Sequence, residues 1–476
     1  MNQFDTVLSP NTGWALLAFF GILWIALGIF WGKRAKDMDG FMLAGRNVGL
    51  ALGSATAMAT WVTSNTIMLA PKFALQMGIW GMLAYATASF GLFLFAPMAA
   101  RIKSLMPKGY TSGDFIRIRY GKVAWALFLL VSIIYSFAWL VSMGMAGGIV
   151  LKALAGIPYA YGMSAILFVC VVYTLYGGLY AVIGTDFIQS IIILIGVVLI
   201  GAIVVMRVDL DTTYSAIQET QPQLLNIFMP VALLSLFNNM FFGFGEVFHN
   251  NVWWSRAFAM RGSVAFKAFT LSGFLWLPIP IAAGFIALCS GGLGINITDP
   301  DMVGPMVAGQ ILGPIGAMVV FVVVFCSLGS SIDSLLAATS DLLVEDVYKK
   351  MIAPKASEQR VRRISSFVIL GLGLITWLIC LPRIGDLIVV LFLSGPLVGS
   401  AIWPIITGLY WKRATSAGAI SGMLLGSSAG LIAYFTLGWF TATLIATTVS
   451  MIAVITATFF STSDFNWESL NEQESK

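Results

Sequence analysis

The chain has 476 residues, of which 59% are hydrophobic and only 10% charged, against roughly 25% charged in an average soluble domain. With a mean hydropathy of +0.92, most of its surface must face something other than water. That excludes a water-soluble enzyme, a nucleic-acid binder and a secreted disulfide scaffold. Each of the four cysteines, Cys170, Cys289, Cys326 and Cys380, sits in an apolar run and none forms a CxxC pair, so they read as small buried hydrophobes. One histidine, His249, leaves no room for a histidine-rich metal site or a nucleophile–base–orienter set. The composition is that of an all-α polytopic protein of the cell membrane, embedded in the lipid bilayer and without an organic cofactor.

A helix needs about 20 apolar residues to cross the hydrocarbon core. Thirteen such runs fall near 13–31, 47–70, 76–100, 122–151, 158–179, 183–206, 226–249, 263–290, 306–345, 364–383, 385–411, 415–437 and 441–461. The first is not a cleaved signal peptide, since no Lys or Arg precedes it while Lys33 and Arg34 follow it. With the N-terminus outside and the C-terminus inside, 22 of the 26 Lys and Arg fall in 32–46, 101–122, 250–267, 346–363, 412–413 and the C-terminal tail. Only Lys72, Lys152, Arg207 and Arg383 remain on the other side, the asymmetry that the positive-inside rule demands. No stretch is long enough for a separate soluble domain, so function must be built within the helices.

Polar groups inside a span are expensive and point to function. In the second run, Gly49, Gly53 and Ser54 are followed by Thr60-Trp61-Val62-Thr63-Ser64-Asn65, with Pro71-Lys72 at its end. The seventh carries Asn238, Asn239, Gly243, Gly245, Glu246 and His249. Glu246 reads either as part of this interruption or as a residue at the cytoplasmic end paired with Arg256 or Arg261, and His249 as a cap. Two interrupted helices in matching positions of two halves mark a transport site near the midplane. They divide the chain into an N-terminal helix and loop (1–46), two inverted five-helix repeats (47–206 and 207–411) and two C-terminal helices with the tail (412–476). The ninth run places Ser327, Ser330, Ser331 and Ser334 at i, i+3, i+4, i+7, with Asp341 continuing the stripe and Asp333 beside it. Such a row of oxygens suits a hard cation, or else small residues that permit close helix packing. A third polar segment, Thr174 to Gln189, holds the pair Gly177-Gly178 but no Walker Lys-Ser/Thr and no GxGxxG, which excludes an ATP-driven pump.

These motifs resemble the sodium:solute symporter family over nearly the whole chain. The resemblance rests on Gly40-Phe41-Met42-Leu43-Ala44-Gly45-Arg46, on Tyr110-Thr111 through Arg119-Tyr120-Gly121, on Gly177-Gly178-Leu179 to Asp186–Gln189, and on Ser330-Ser331 through Asp346-Val347-Tyr348-Lys349. It implies the LeuT-type inverted-repeat fold and sodium-coupled symport by alternating access. It also implies a sodium ion held by the carbonyls of Ala59, Val62 and Ser327 and the side chains of Ser330 and Ser331. A second cation would lie at Asp186, with Asp333 and Ser334 opposite. Asp333 stands where some members have serine, which makes that position more electronegative or lets Asp333 carry a proton.

In this architecture the solute lies between the broken helices, against Trp61, Thr63, Ser64, Asn65, Tyr135, Trp139, Asn238, Asn239, Phe242 and Phe392. Aromatic walls with a few hydroxyls and amides favour a small neutral or zwitterionic solute, urea-like or amino-acid-like. Thr60 to Asn65 with Lys72-Phe73, and Val247 to Ala257, are similar to the family's urea-active branch, which brings proton coupling in as the alternative to sodium. A solute-sensing membrane module and a passive channel are the competing functions.

Overall fold

Lipid offers no hydrogen-bond partners, so each spanning segment must close its own backbone ladder. The computed structural model, which describes residues 6–290 and 300–471, contains no strand among those residues beyond one isolated bridge between Val48 and Met260. The first five residues of the expected N-terminal segment and the last five of the tail lie outside the described residues.

The main helices are α1 (Pro10–Gly32), α2 (Leu50–Trp61), α3 (Ser64–Ala86), α4 (Phe90–Leu105), α5 (Ser112–Ala155), α6 (Tyr159–Arg207), α7 (Pro230–His249) and α8 (Asn251–Ala259). They continue with α9 (Ala265–Trp276), α10 (Pro278–Leu288), α11 (Val303–Asp341), α12 (Glu358–Cys380), α13 (Leu387–Phe392), α14 (Gly395–Tyr410), α15 (Ser416–Thr436) and α16 (Trp439–Phe459). Two short helices, Met38–Leu43 and Leu210–Thr220, lie in connecting segments.

Among the described residues, eleven helical segments are long and apolar enough to cross a membrane, where the hydropathy runs number thirteen. The difference has a physical origin. The segments Ser64–Leu105 and Tyr159–Val204 are 42 and 46 residues long. At 1.5 Å per residue they extend about 63 and 69 Å, roughly twice the thickness of the hydrocarbon core. Each bends at a glycine in the left-handed region, Gly78 (φ 64°) and Gly178 (φ 51°), so that the chain turns without losing helix on either side. The ninth run is also longer than its apolar stretch: α11 continues past Asp341 into a wider π-helical coil, Leu342–Ile352.

Helix α11 lies at the centre of the bundle, packed on α6, α5, α3 and α2. Ser327, Ser330, Ser331, Asp333 and Ser334 are all fully buried there. The serine stripe therefore faces protein rather than lipid. Helix α1 packs on α6, and α15 and α16 pair with each other against α14, on the outside of the core.

The bend at Gly178 admits no side chain. A Cβ there would lie 2.3 Å from the Phe41 carbonyl oxygen, in a backbone region that L-residues rarely adopt. Gly178→Ala is therefore expected to destabilise the protein by about 2 kcal/mol or more. Gly201→Ala, on the same helix with open space around the new Cβ, should be neutral or slightly stabilising. Thermal unfolding of the two purified variants checks the contrast; equal midpoints would refute it.

Candidate functional site

The break between α2 and α3 occupies two residues. Val62 leaves the helix (φ −79°, ψ 84°), and Thr63 starts α3 through a reciprocal cap with Thr66, each side chain meeting the other's backbone N–H at 3.2 Å. The second break falls at Asn250, which is extended (φ −73°, ψ 129°) and caps α8 by accepting from the Val252 N–H at 3.0 Å. Helices interrupted in this way release carbonyl groups that must be satisfied inside the protein.

The carbonyls of the first break turn to α11. The Ser330 hydroxyl donates to the Ala59 oxygen at 2.8 Å, and the Ser331 hydroxyl to the Thr60 oxygen at 3.1 Å. Both hydroxyls also reach the Ser327 carbonyl, at 3.2 and 2.9 Å. The Ser327 hydroxyl is tied back to Val323 at 2.8 Å, which leaves its carbonyl as the group facing the cluster. Ala59, Ser327, Ser330 and Ser331 are thus brought together, with Val62 at the break itself and the Thr60 carbonyl as an added member. Three carbonyls and two hydroxyls, all from fully buried residues, form a neutral oxygen-rich nest suited to a hard monovalent cation.

One helical turn farther along α11, the residues expected to hold a second cation meet a cation of the protein's own. The fully buried Arg256 on α8 donates through Nη2 to Thr60 Oγ1 (2.6 Å), Ser334 Oγ (2.7 Å) and Asp186 Oδ2 (3.2 Å), and through Nε to Thr56 Oγ1 (3.1 Å). Thr56 in turn donates to Asp186 Oδ2 at 2.5 Å. Its sequence position alone puts Arg256 among the charges of a cytoplasmic segment and within reach of Glu246 as a partner. Instead, Glu246 accepts from the Trp253 indole (3.1 Å) and the Asn250 amide (3.4 Å), and Arg261 reaches Asn47 at 2.7 Å. His249 holds the Gly245 carbonyl through Nδ1 at 2.6 Å, within its own helix. The sequence did carry a signal for Arg256: it is a lone charge within Val252-Trp253-Trp254-Ser255-Arg256-Ala257-Phe258-Ala259, and a cation among apolar residues needs a buried counter-charge. Both carboxylate oxygens of Asp333, one of Asp186 and the whole Gln189 amide are buried without a hydrogen-bond partner.

Directly beyond Ala59 and Thr60, Trp61 forms one wall of an aromatic cavity of about 30 Å³. Its ring stands edge-on to Trp139 and Trp253, at 6.1 and 5.2 Å, and lies 5.8 Å from Trp276. Of the expected solute residues, Trp61, Thr63, Asn65, Tyr135, Trp139, Asn239, Phe242 and Phe392 line this cavity. Ser64 and Asn238 do not. The Ser64 hydroxyl points to Met143 Sδ (3.4 Å), and Asn238 ties α7 to α16 through the Trp439 carbonyl (3.2 Å) and the Thr443 N–H (2.9 Å). Thr66, Tyr85, Ala88, Trp276 and Leu391 also line it. Thr66 and Tyr85 lie at the two ends of α3, Ala88 in the turn that follows it, and Trp276 and Leu391 on α9 and α13, whose facing only the folded chain reveals. No charged residue lines the cavity, and the Trp61 indole N–H is buried without a partner.

Ion pairs clasp the two ends of α11. At one end Lys72, 4% exposed, bridges Asp301 (2.8 Å) and Asp386 (3.4 Å), and Arg383 reaches Asp301 at 3.3 Å. At the other, Lys350 joins Asp346 (2.6 Å) and Asp114, while Asp346 also accepts from Thr111 (2.6 Å) and the Trp125 indole (3.0 Å). A cavity of about 370 Å³ adjoins the first clasp and one of about 870 Å³ the second, and neither shares a lining residue with the aromatic cavity. In the larger one, burial would raise the Asp39 carboxyl, but the Arg46 guanidinium and the Tyr110 hydroxyl outweigh it and hold the group below the usual carboxylate range.

A sequence model of the sodium:solute symporter family matches residues 41–426. The chain is 26% identical to the urea-proton symporter of Oryza sativa subsp. japonica, covering 90% of this chain and 66% of that protein. It is 25% identical to the high-affinity proline transporter of Bacillus subtilis (strain 168), covering 86% and 89%. It is 24% identical to the urea active transporter of Saccharomyces cerevisiae, covering 91% and 64%. The chain therefore spans about two thirds of the length of the rice and yeast proteins. Among solved structures, a Na+-coupled sialic acid symporter in a substrate-bound outward-open state superposes with a TM-score of 0.77 at 17% identity, covering 95% of this chain and 98% of that one. At this identity the likeness is one of fold. These relatives and neighbours are transporters, not enzymes.

Removing one member of a buried, multiply bonded charge pair leaves the others uncompensated and costs about 3–5 kcal/mol. Asp346→Ala is expected to lower the unfolding midpoint by several degrees. Lys412→Ala, which breaks only the exposed 3.8 Å contact with Asp464, should change stability by less than about 0.5 kcal/mol. Thermal scans of the purified variants measure both.

Proposed function

Because this chain belongs to the sodium:solute symporter family, we propose that it is a sodium-coupled symporter of a small neutral amide, urea or a close analogue. One observation carries the reading: the carbonyls of Ala59 and Thr60, which converge with the α11 serines, immediately precede Trp61, the wall of the solute cavity. A sodium ion bridging the break to α11 holds Trp61 in place, and the solute completes the cavity against it. By linkage, the factor by which sodium raises solute affinity equals the factor by which solute raises sodium affinity. An inward-negative potential adds about 2.3 kcal/mol per charge per 100 mV.

In this reading the chain crosses the membrane thirteen times, with the segments bent at Gly78 and Gly178 each crossing twice. The N-terminus is outside and the C-terminus inside. The broken pairs α2/α3 and α7/α8 open the inverted repeats 47–206 and 207–411. The Lys72 cluster closes the outer path and the Lys350 cluster the inner one, so that alternating access is the alternate release of two clasps around one cavity.

Size and charge favour a urea-like solute over an amino acid. The cavity is small, about 30 Å³, and walled by aromatic rings, which favours a compact solute. A zwitterion also needs a partner for its carboxylate. The cavity offers no charged side chain, and Thr63 already caps the N-terminus of α3.

The rice relative's name and the unpartnered Asp333 carboxylate favour proton coupling as the second reading. Proteoliposomes separate the two. Labelled urea is expected to accumulate under an inward sodium gradient, to stop accumulating when potassium replaces sodium, and to be taken up in preference to proline. Loss of the two hydroxyl oxygens in Ser330→Ala/Ser331→Ala, both ligands of a hard cation in this reading, should weaken sodium dependence by about tenfold or more, equivalent to about 1.4 kcal/mol. Accumulation driven by a pH gradient in sodium-free buffer would overturn sodium coupling. Binding without accumulation would favour a sensor.

A further inference from the structure

From the contacts of Arg256 we infer that its guanidinium is a tethered cation in the second ion position, so that this protein binds one sodium ion per solute. The inference rests on the sodium reading above and deepens it. Four oxygen atoms surround the guanidinium, Asp186 Oδ2, Thr56 Oγ1, Thr60 Oγ1 and Ser334 Oγ, so two of the three residues expected at the second ion position, Asp186 and Ser334, bond to it and Asp333 does not. The four oxygens would form the coordination shell of a hard ion, yet the guanidinium already takes all four, at 2.6 to 3.2 Å. Its remaining terminal nitrogen is occupied as well, since Nη1 donates to the Val252 carbonyl at 3.1 Å. A guanidinium keeps its charge in proteins. A sodium ion on the same oxygens would therefore meet a fixed like charge in a fully buried setting, with its ligands already committed.

The charges agree. Asp186 and Asp333 bring two carboxylates to this part of the α6–α11 interface, and Arg256 pairs with Asp186 alone. Asp333 is left with neither oxygen bonded, two residues beyond Ser331 in the neutral nest. With both carboxylates ionised, the cluster as a whole lacks one positive charge. The nest of Ala59, Thr60, Ser327, Ser330 and Ser331 accepts that charge as sodium, whereas a second sodium would have to share Asp186, of which only Oδ1 is left unbonded, with the guanidinium. Helix α8 supplies the arginine and is the second half of the second broken helix, so the tethered cation links both broken helices to α6 and α11 throughout the cycle, while the mobile cation does so only when bound.

The test is a direct count of bound sodium, independent of transport. Purified full-length protein in lipid nanodiscs is titrated with radioactive sodium at saturating urea. The expected count is one per protein, with a Hill coefficient of one. Arg256→Gln vacates the position and is expected to raise the count to two, whereas Arg256→Lys, which retains a charge, should stay at one. Ser334→Ala is a milder change and serves if Arg256→Gln does not fold: a count still at one, with sodium affinity within about twofold of wild type, supports the assignment. A wild-type count of two overturns the tethered cation and leaves sodium symport intact. A well-folded Arg256→Gln that still binds one sodium, or a tenfold loss of sodium affinity in Ser334→Ala, overturns it as well. A wild-type count of zero overturns the sodium reading together with this one.

Discussion

A carbonyl released from its helix inside hydrocarbon must be given another partner, because the lipid has none to offer. Interrupting α2 after Trp61 releases the carbonyls of Ala59, Thr60 and Trp61, and much of the arrangement of the core follows from where they go. Ala59 and Thr60 bond to the α11 serines and Trp61 to the Trp276 indole at 2.6 Å. Two of these bonds pull α11 against the break, and the third brings α9 over the aromatic cavity. The serines must be small for the helices to come this close, and they must be hydroxylated because alanine would leave the carbonyls orphaned. Close packing and ion ligation are therefore two uses of the same residues.

The same economy governs charge. A lone ion in a low-dielectric interior is far more costly than a paired one. In the core, Asp186 is matched by Arg256, and at the two ends of α11 Lys72 and Lys350 each bridge two carboxylates. Asp333, with neither oxygen bonded, and Glu246 depart from this pattern: the bonded partners of Glu246 are neutral, the Trp253 indole and the Asn250 amide. The Glu246 carboxylate sits beside the second break, as the Asp186–Arg256 pair sits beside the first, so the two interruptions are electrostatically unlike although their backbones are alike.

What the sequence made legible follows from which signals are local. The hydropathy runs, the two interrupted helices and the serine stripe each depend on spacing within one segment, and each has its counterpart in the folded chain. The bends at Gly78 and Gly178 merged neighbouring runs into single long helices, a distinction that hydropathy cannot make. Most of the expected cavity lining was readable because the LeuT-type resemblance places α2, α5 and α7 around one point. Asn238 was misread because adjacent residues on a helix face different neighbours: Asn239 bonds the Ala84 carbonyl at 2.7 Å while Asn238 turns outward to α16. Arg256 was misread for a related reason. A basic residue near a span end looks like a loop charge until the fold carries it over Asp186, 70 positions away in sequence.

Tethering one cation to the backbone also sets a limit on concentrating power. An ion that cannot leave performs no electrical or osmotic work, however tightly it is held. A carrier that moves one sodium ion with each neutral molecule, across 100 mV and a tenfold sodium gradient, sustains an inside-to-outside ratio on the order of 500. A second mobile ion would square that ratio, at the expense of twice the sodium.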